Sequence, residues 1–102
     1  MKIRKCFSYD DVLLVPQYSN IVSRKEVDIT SVLDENLIFS LPVISSPMDT
    51  ITETAMAAAM SAKGGLGIIH RYNSIEKQAD LCRNVQDTCA AAVGITGDYM
   101  ER

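Results

Sequence analysis

Ser45-Ser46-Pro47-Met48-Asp49-Thr50 marks the point where a buried-strand pattern stops and a helical pattern starts. Upstream lies the apolar run Leu41-Pro42-Val43-Ile44, and downstream lies Ile51-Thr52-Glu53-Thr54-Ala55-Met56. In a parallel α/β fold the carboxyl ends of strands are where loops aim side chains into a common crevice. A hydroxyl, a thioether and a carboxylate gathered at such a junction point to a binding site without naming its ligand.

Working outward, Val43-Ile44-Ser45 reads as a strand covered on both faces. Thr50 with Glu53 three residues later has the spacing of a capping box and predicts a helix start there. That helix is rich in Ala and Met, places Met56 and Met60 in its core face, and ends at Gly64-Gly65. Leu66-Gly67-Ile68-Ile69-His70 is a second apolar strand. Because this strand follows the glycines, Gly64, Gly65 and Gly67 do not form a dinucleotide fingerprint. Ser74 caps a second helix whose Ile75, Ala79, Cys82 and Val85 recur at helical spacing. Ala90-Ala91-Ala92-Val93-Gly94-Ile95 is a third strand candidate.

The strand centres Ile44, Ile68 and Val93 lie 24 and 25 residues apart, the length of one β-α unit. Right-handed crossovers make such strands parallel neighbours. The expected architecture is a partial (β/α)8 barrel of two to three β-α units over 41–102. A complete barrel takes about 250 residues, so these 102 correspond to its opening part. Left alone, a three-stranded parallel sheet has bare edges and one uncovered face, an aggregation hazard.

Residues 1–40 precede those units as an N-terminal extension and hairpin. The first 26 read as an extended lead-in, with Pro16 stopping the apolar run Val12-Leu13-Leu14-Val15. Val27–Leu33 reads as a strand, Asp34-Glu35-Asn36 as a turn and Leu37-Ile38-Phe39 as the returning strand.

Composition excludes several classes. Apolar residues make up 47% and charged residues 23%, as in a folded globular chain. A net charge of −3 argues against a nonspecific nucleic-acid binder. No window approaches about 20 apolar residues, so no membrane span is expected. The basic N-terminus lacks an apolar signal region. Cys6, Cys82 and Cys89 are odd in number and show no Cys-x-x-Cys spacing, which fits reduced, structural thiols in a cytoplasmic protein and no metal site.

Several segments together resemble the amino-terminal part of the IMP dehydrogenase / GMP reductase family. They are Tyr9-Asp10-Asp11-Val12-Leu13-Leu14-Val15-Pro16, Ser45-Ser46-Pro47-Met48-Asp49-Thr50, Gly64-Gly65-Leu66-Gly67-Ile68-Ile69-His70 and Val93-Gly94-Ile95-Thr96-Gly97-Asp98. The resemblance implies a (β/α)8 barrel that binds a purine nucleotide and a nicotinamide cofactor at its C-terminal rim, usually as a homo-tetramer. In this family a cysteine thiolate attacks C2 of the purine, splitting one difficult displacement into two easier steps. The dehydrogenase oxidises IMP with NAD, and the reductase converts GMP to IMP with NADPH and expels ammonia. A monovalent cation belongs with the complete enzyme as an option. The family's cysteine sits on a downstream glycine-rich loop. No Gly-x-Gly-x-x-Cys occurs here, so no residue is assigned as catalytic and the 102-residue chain is expected to be inactive alone.

By the same resemblance Ser46 and Met48 line the nucleotide pocket, the methionine against the base. Ser23, Arg24, His70 and Arg71 fall to the cofactor side. Each also has a plainer role open to it: Ser46 as a strand-end cap, Met48 as core, His70 as a satisfied structural histidine, Arg71 as solvated surface. Asp49 is read as holding its loop by accepting backbone N–H groups near a helix start. Only Gln86-Asp87-Thr88-Cys89 separate the second helix from the third strand, leaving no room for the regulatory cystathionine-β-synthase-type modules usual in the dehydrogenases. That absence, and the pair Ser23-Arg24, resemble the reductases. Ser45-Ser46-Pro47-Met48 and Ser74-Ile75-Glu76-Lys77-Gln78-Ala79 resemble the dehydrogenases, which the balance favours. A truncated, noncatalytic subunit is the remaining alternative.

Overall fold

Three parallel strands, β3 (Ile44–Ser45), β4 (Leu66–Ile69) and β5 (Ala90–Ala91), lie side by side in that order. They are preceded by an antiparallel hairpin of β1 (Ser31–Asp34) and β2 (Leu37–Phe39). Helix α1 (Thr54–Ala62) joins β3 to β4, and α2 (Ile75–Arg83) joins β4 to β5. The computed structural model describes residues 4–102. It is an open α/β segment of successive β-α units, and its three parallel strands do not close into a ring.

Register sets which residues share a face. Ile44 pairs with Leu66 and Ser45 with Gly67, while Ile68 pairs with Ala90 and Ile69 with Ala91. Side chains alternate across a strand, so Gly67 and Ile69 turn to one face and Leu66 and Ile68 to the other. Both helices cover the Gly67–Ile69 face. There Ala57 of α1, Ile69 of β4 and Leu81 and Val85 of α2 form the buried cluster, with Ala58, Cys82 and Cys89 packed against it. The opposite face is partly open, and Ile44 is exposed.

Gly67 is what lets α1 approach the sheet. A Cβ there would meet the Ala57 backbone and stand 2.7 Å from the Ala57 methyl carbon, so any side chain would push the helix away. The end of α1 is a Schellman motif, as its glycines predict. Gly64 takes φ +80°, its N–H donates to Ser61 O at 2.8 Å, and the Gly65 N–H donates to Met60 O at 2.9 Å. The Ser74 cap also forms, its hydroxyl accepting from Lys77 N at 3.2 Å.

Other boundaries differ from expectation. The capping box at Thr50 and Glu53 does not form; α1 begins only at Thr54, with extended backbone at Glu53 and no side-chain cap. Residues 48–52 instead make a turn in which Ile51 N and Thr52 N both donate to Met48 O. Met56 is exposed and not in the core. On α2 the buried positions are Gln78 and Leu81, with Ile75 and Ala79 only partly covered, so the helix is rotated from the apolar stripe. The third strand is two residues long, and Val93 and Ile95 lie beyond it in exposed loop.

The hairpin starts at Ser31, not Val27, because Asp28 Oδ1 accepts from Thr30 N at 2.9 Å and holds a local turn in place of a ladder. Its turn at Asp34–Asn36 stands as expected, with Asp34 Oδ1 accepting from Asn36 N. Before it, residues 4–30 form an extended lead-in with 3-10 turns at Tyr9–Asp11 and Arg24–Glu26. This lead-in is exposed almost throughout. The radius of gyration is therefore 18.2 Å, against about 13 Å for a compact chain of this size.

Candidate functional site

The parallel register brings the carboxyl ends of β3, β4 and β5 to one edge of the sheet, where Ser46, His70 and Ala92 each begin a loop. The β3 loop is held from within. The Thr52 hydroxyl, fully buried, donates to Ser46 O at 2.6 Å and lies 2.9 Å from Ser45 Oγ. Ser46 O also accepts from Met48 N at 2.8 Å. With the backbone tied down, the Ser46 and Met48 side chains face outward, Met48 being 47% exposed. Among the described residues the Asp49 carboxylate accepts no hydrogen bond, so Thr52 does the work expected of Asp49. The helix start that was to attract Asp49 lies five residues further on.

His70 is 2% exposed and both ring nitrogens are engaged. Nδ1 accepts from Tyr72 N at 3.1 Å, so Nδ1 carries no proton and Nε2 does. Nε2 donates to Glu53 Oε1 at 3.2 Å, joining the β4 loop to the start of α1. His70 therefore links the β4 loop to the start of α1 through both of its ring nitrogens. Arg71 and Tyr72 stand exposed above it. The Arg71 guanidinium lies 5.7 Å from the Tyr72 ring centroid and crowds Gly94 of the β5 loop, where a Cβ would meet Nη1 at 3.2 Å.

Gln78 connects the second and third strand ends. Its Nε2 donates to His70 O at 3.1 Å and Ala92 O at 2.9 Å, and Ile69 O lies 3.5 Å away. Gln78 Oε1 accepts from Arg102 Nη1 at 3.0 Å, which fixes which end of the amide points where. Arg102 Nη2 donates to Asn73 O at 3.1 Å and to Asp98 Oδ2 at 2.6 Å. The Arg102 hydrogen bond, more than any other influence, holds the Asp98 carboxyl below its usual range.

Ser23 and Arg24 occupy the lead-in. Ser23 Oγ accepts from Lys25 N at 3.3 Å and Arg24 is exposed; no hydrogen bond among the described residues joins either to the strand-end loops. Thr52, Glu53, Gln78 and Arg102 were not singled out as site residues from sequence. For Gln78 a signal existed, since an uncharged polar residue adjoining the apolar stripe of a helix is a candidate for buried hydrogen bonding.

Two hollows flank the sheet. One of about 440 Å³ adjoins the β3 loop and is lined by Asp49, Thr50, Glu53, Met56 and Ala59 among others. Another of about 480 Å³ lies at the opposite end, bounded by Phe39, Ser40, Gly64, Asp87 and Thr88. The first adjoins the β3 loop, but none of Ser46, Met48, His70 and Arg71 lines it. Cys89 immediately precedes β5, at the far end of that strand, and Cys82 lies in the last turn of α2. No group of His, Cys, Asp and Glu among the described residues could hold a metal ion. No helix of the described residues is long and apolar enough to cross a membrane.

Successive β-α units whose parallel strands end at one edge define a segment of an α/β protein. Comparison with known proteins makes the assignment specific. The chain belongs to the IMP dehydrogenase / GMP reductase domain family, whose profile matches residues 6–102. It is 48% identical over 80 residues to inosine-5'-monophosphate dehydrogenase of Nitrosopumilus maritimus, 78% of this chain and 17% of that protein. Over 79 residues it is 44% identical to GMP reductase of Leishmania donovani, 78% of this chain and 16% of that protein. Among solved structures, GMP reductase from Trypanosoma brucei in complex with guanosine 5'-triphosphate superposes with a TM-score of 0.74 at 48% identity, over 79% of this chain and 19% of that one. Inosine 5' monophosphate dehydrogenase from Legionella pneumophila gives 0.78 at 41% identity, over 90% of this chain and 29% of that one. The chain thus spans about a sixth of the curated relatives it matches, an N-terminal part of them.

Proposed function

We propose that these residues form the opening part of the barrel in a purine-nucleotide oxidoreductase, an IMP dehydrogenase that converts IMP and NAD to XMP and NADH. The observation that carries this reading is the tied-down β3 loop, which leaves the Ser46 hydroxyl and the Met48 thioether free at the strand end. The hydroxyl can both donate and accept toward a ribose or phosphate, and the thioether offers a polarisable surface for a purine ring. Residues 41–102 are the site-bearing unit, and 1–40 are the extension that precedes it.

The cofactor side falls to the β4 loop. Arg71 supplies an exposed cation for a dinucleotide phosphate, and the exposed Tyr72 ring beside it supplies a stacking face. NAD bound there would accept the hydride. His70 serves as a positioning residue, keeping Glu53 and the Arg71–Tyr72 turn in place. Ser23 and Arg24 act across a subunit boundary, toward a neighbour's cofactor in a homo-tetramer. A cytoplasmic location goes with this reading. The family's glycine-rich cysteine loop has no counterpart in this sequence, so the 102 residues do not turn over substrate on their own.

The short α2–β5 connection and the Ser23-Arg24 pair favour a second reading, GMP reductase with NADPH. An assay of the complete enzyme separates the two. NADH formed from IMP and NAD supports the dehydrogenase, and GMP-dependent oxidation of NADPH supports the reductase. Neither activity in the complete enzyme overturns both, and leaves the noncatalytic subunit.

A further inference from the structure

Cys82 and Cys89 stand at the two ends of the connection from α2 to β5. Cys82 stands one helical turn after Gln78, and Cys89 is the residue before β5. Both are free and half-buried, and both pack against the Ala57–Ile69–Leu81–Val85 cluster. Cys89 Sγ lies 4.0 Å from the Cys82 carbonyl oxygen. Burial, and then the neighbouring Cys89 thiol, pushes the Cys82 thiol up. Cys6 lies on the exposed lead-in and takes no part.

We propose that Cys82 and Cys89 are a dithiol–disulfide pair, a redox modification site oxidised by a low-molecular-weight disulfide such as oxidised glutathione. A disulfide requires two Cβ atoms that converge to about 4 Å, and a Cys89 sulfur 4.0 Å from the Cys82 carbonyl oxygen brings the two residues within the range such a bond needs. The Cys89 thiolate attacks one sulfur of the small disulfide, forming a mixed disulfide and releasing one small thiol. Cys82 then loses its proton and attacks the Cys89 sulfur, expelling the second small thiol. Two protein thiols are oxidised, one small disulfide is reduced, and the two protons leave on the two released thiols. Its raised thiol makes Cys82 the poorer first nucleophile, which assigns the opening attack to Cys89. The bond pins the last turn of α2 to the start of β5, one turn from the Gln78 contacts to the strand ends. None of this rests on the nucleotide reading.

The test is a disulfide map of the native protein treated with oxidised glutathione, alkylated and digested with trypsin. Cleavage after Lys77 and Arg83 places Cys82 in peptide 78–83 and Cys89 in the peptide that begins at Asn84. The expected result is these two peptides joined by a reducible bond, a protein lighter by two hydrogens, and no retained glutathione. Cys6→Ser keeps the bond, and in Cys82→Ser glutathione accumulates on Cys89. The proposal is overturned if both thiols remain alkylatable, if each keeps glutathione, or if either pairs with Cys6. The wild-type map decides the matter even if a variant fails to fold.

Discussion

Gln78 and Ala92, fourteen residues apart, meet through a 2.9 Å hydrogen bond from the glutamine amide to the alanine carbonyl. The same amide reaches His70 O at 3.1 Å, so one side chain of α2 ties two parallel strand ends together. Strands this short gain little from their own ladder, with only two register pairs between β4 and β5. A buried side chain therefore holds the edge on which the proposed site is built.

Replacing Gln78 by Leu should be the most damaging single change in this region. It leaves two strand-end carbonyls and Arg102 Nη1 without their partner, and an unsatisfied buried group costs about 1–3 kcal/mol. A destabilisation of at least about 2 kcal/mol is expected, read as a lower urea midpoint at unchanged m-value. A variant within about 0.5 kcal/mol of wild type would show that Gln78 does not hold the strands.

Thr52 and Ser46 should separate stability from binding. Thr52→Val keeps the shape but removes the bonds to Ser46 O and Ser45 Oγ, at about 1–2 kcal/mol. Ser46→Ala touches an exposed hydroxyl and is expected to change stability by less than about 0.5 kcal/mol. In the complete enzyme Ser46→Ala should raise KM for the nucleotide about fivefold to tenfold, one hydrogen bond's worth. An unchanged KM would remove Ser46 from the site.

Gly64→Ala probes the α1 stop. The left-handed backbone at φ +80° costs an L-residue about 1 kcal/mol, and the new methyl would also collide with the Ser40 hydroxyl. A lower melting temperature is expected, whereas Gly97→Ala, also at positive φ but in open space, should show only the backbone cost. Equal losses at the two positions would exclude the Ser40 contact as a source of strain.

The Asp98–Arg102 pair predicts an acid-side effect. The Asp98 carboxyl is held below its ordinary 3.8 by the Arg102 hydrogen bond, so the folded state favours the ionised form. That contribution is fully present above the unfolded value and is lost as pH falls through the lower folded value. Melting temperature against pH should therefore fall more steeply below about pH 4 in wild type than in Asp98→Asn. Parallel curves would show that the pair contributes nothing in solution.

Local pattern alone was enough for the order of elements, the Asp34–Asn36 turn, the Ser74 cap and the glycine stop of α1. Each rests on neighbours within a few residues: hydroxyls near free N–H groups, and glycine where φ must be positive. The parallel arrangement of the strands also followed from unit length and crossover handedness. What pattern misjudged was the wiring of polar side chains. Thr50 and Glu53 have capping-box spacing, yet Glu53 serves His70, seventeen residues away, and Thr52 serves the end of β3. Gln78 looked like one more residue of an amphipathic helix until the fold brought two strand ends beneath it. Such partners are decided by tertiary structure, because a buried donor takes whichever acceptor the packed chain puts within about 3 Å, and sequence spacing carries no record of that distance.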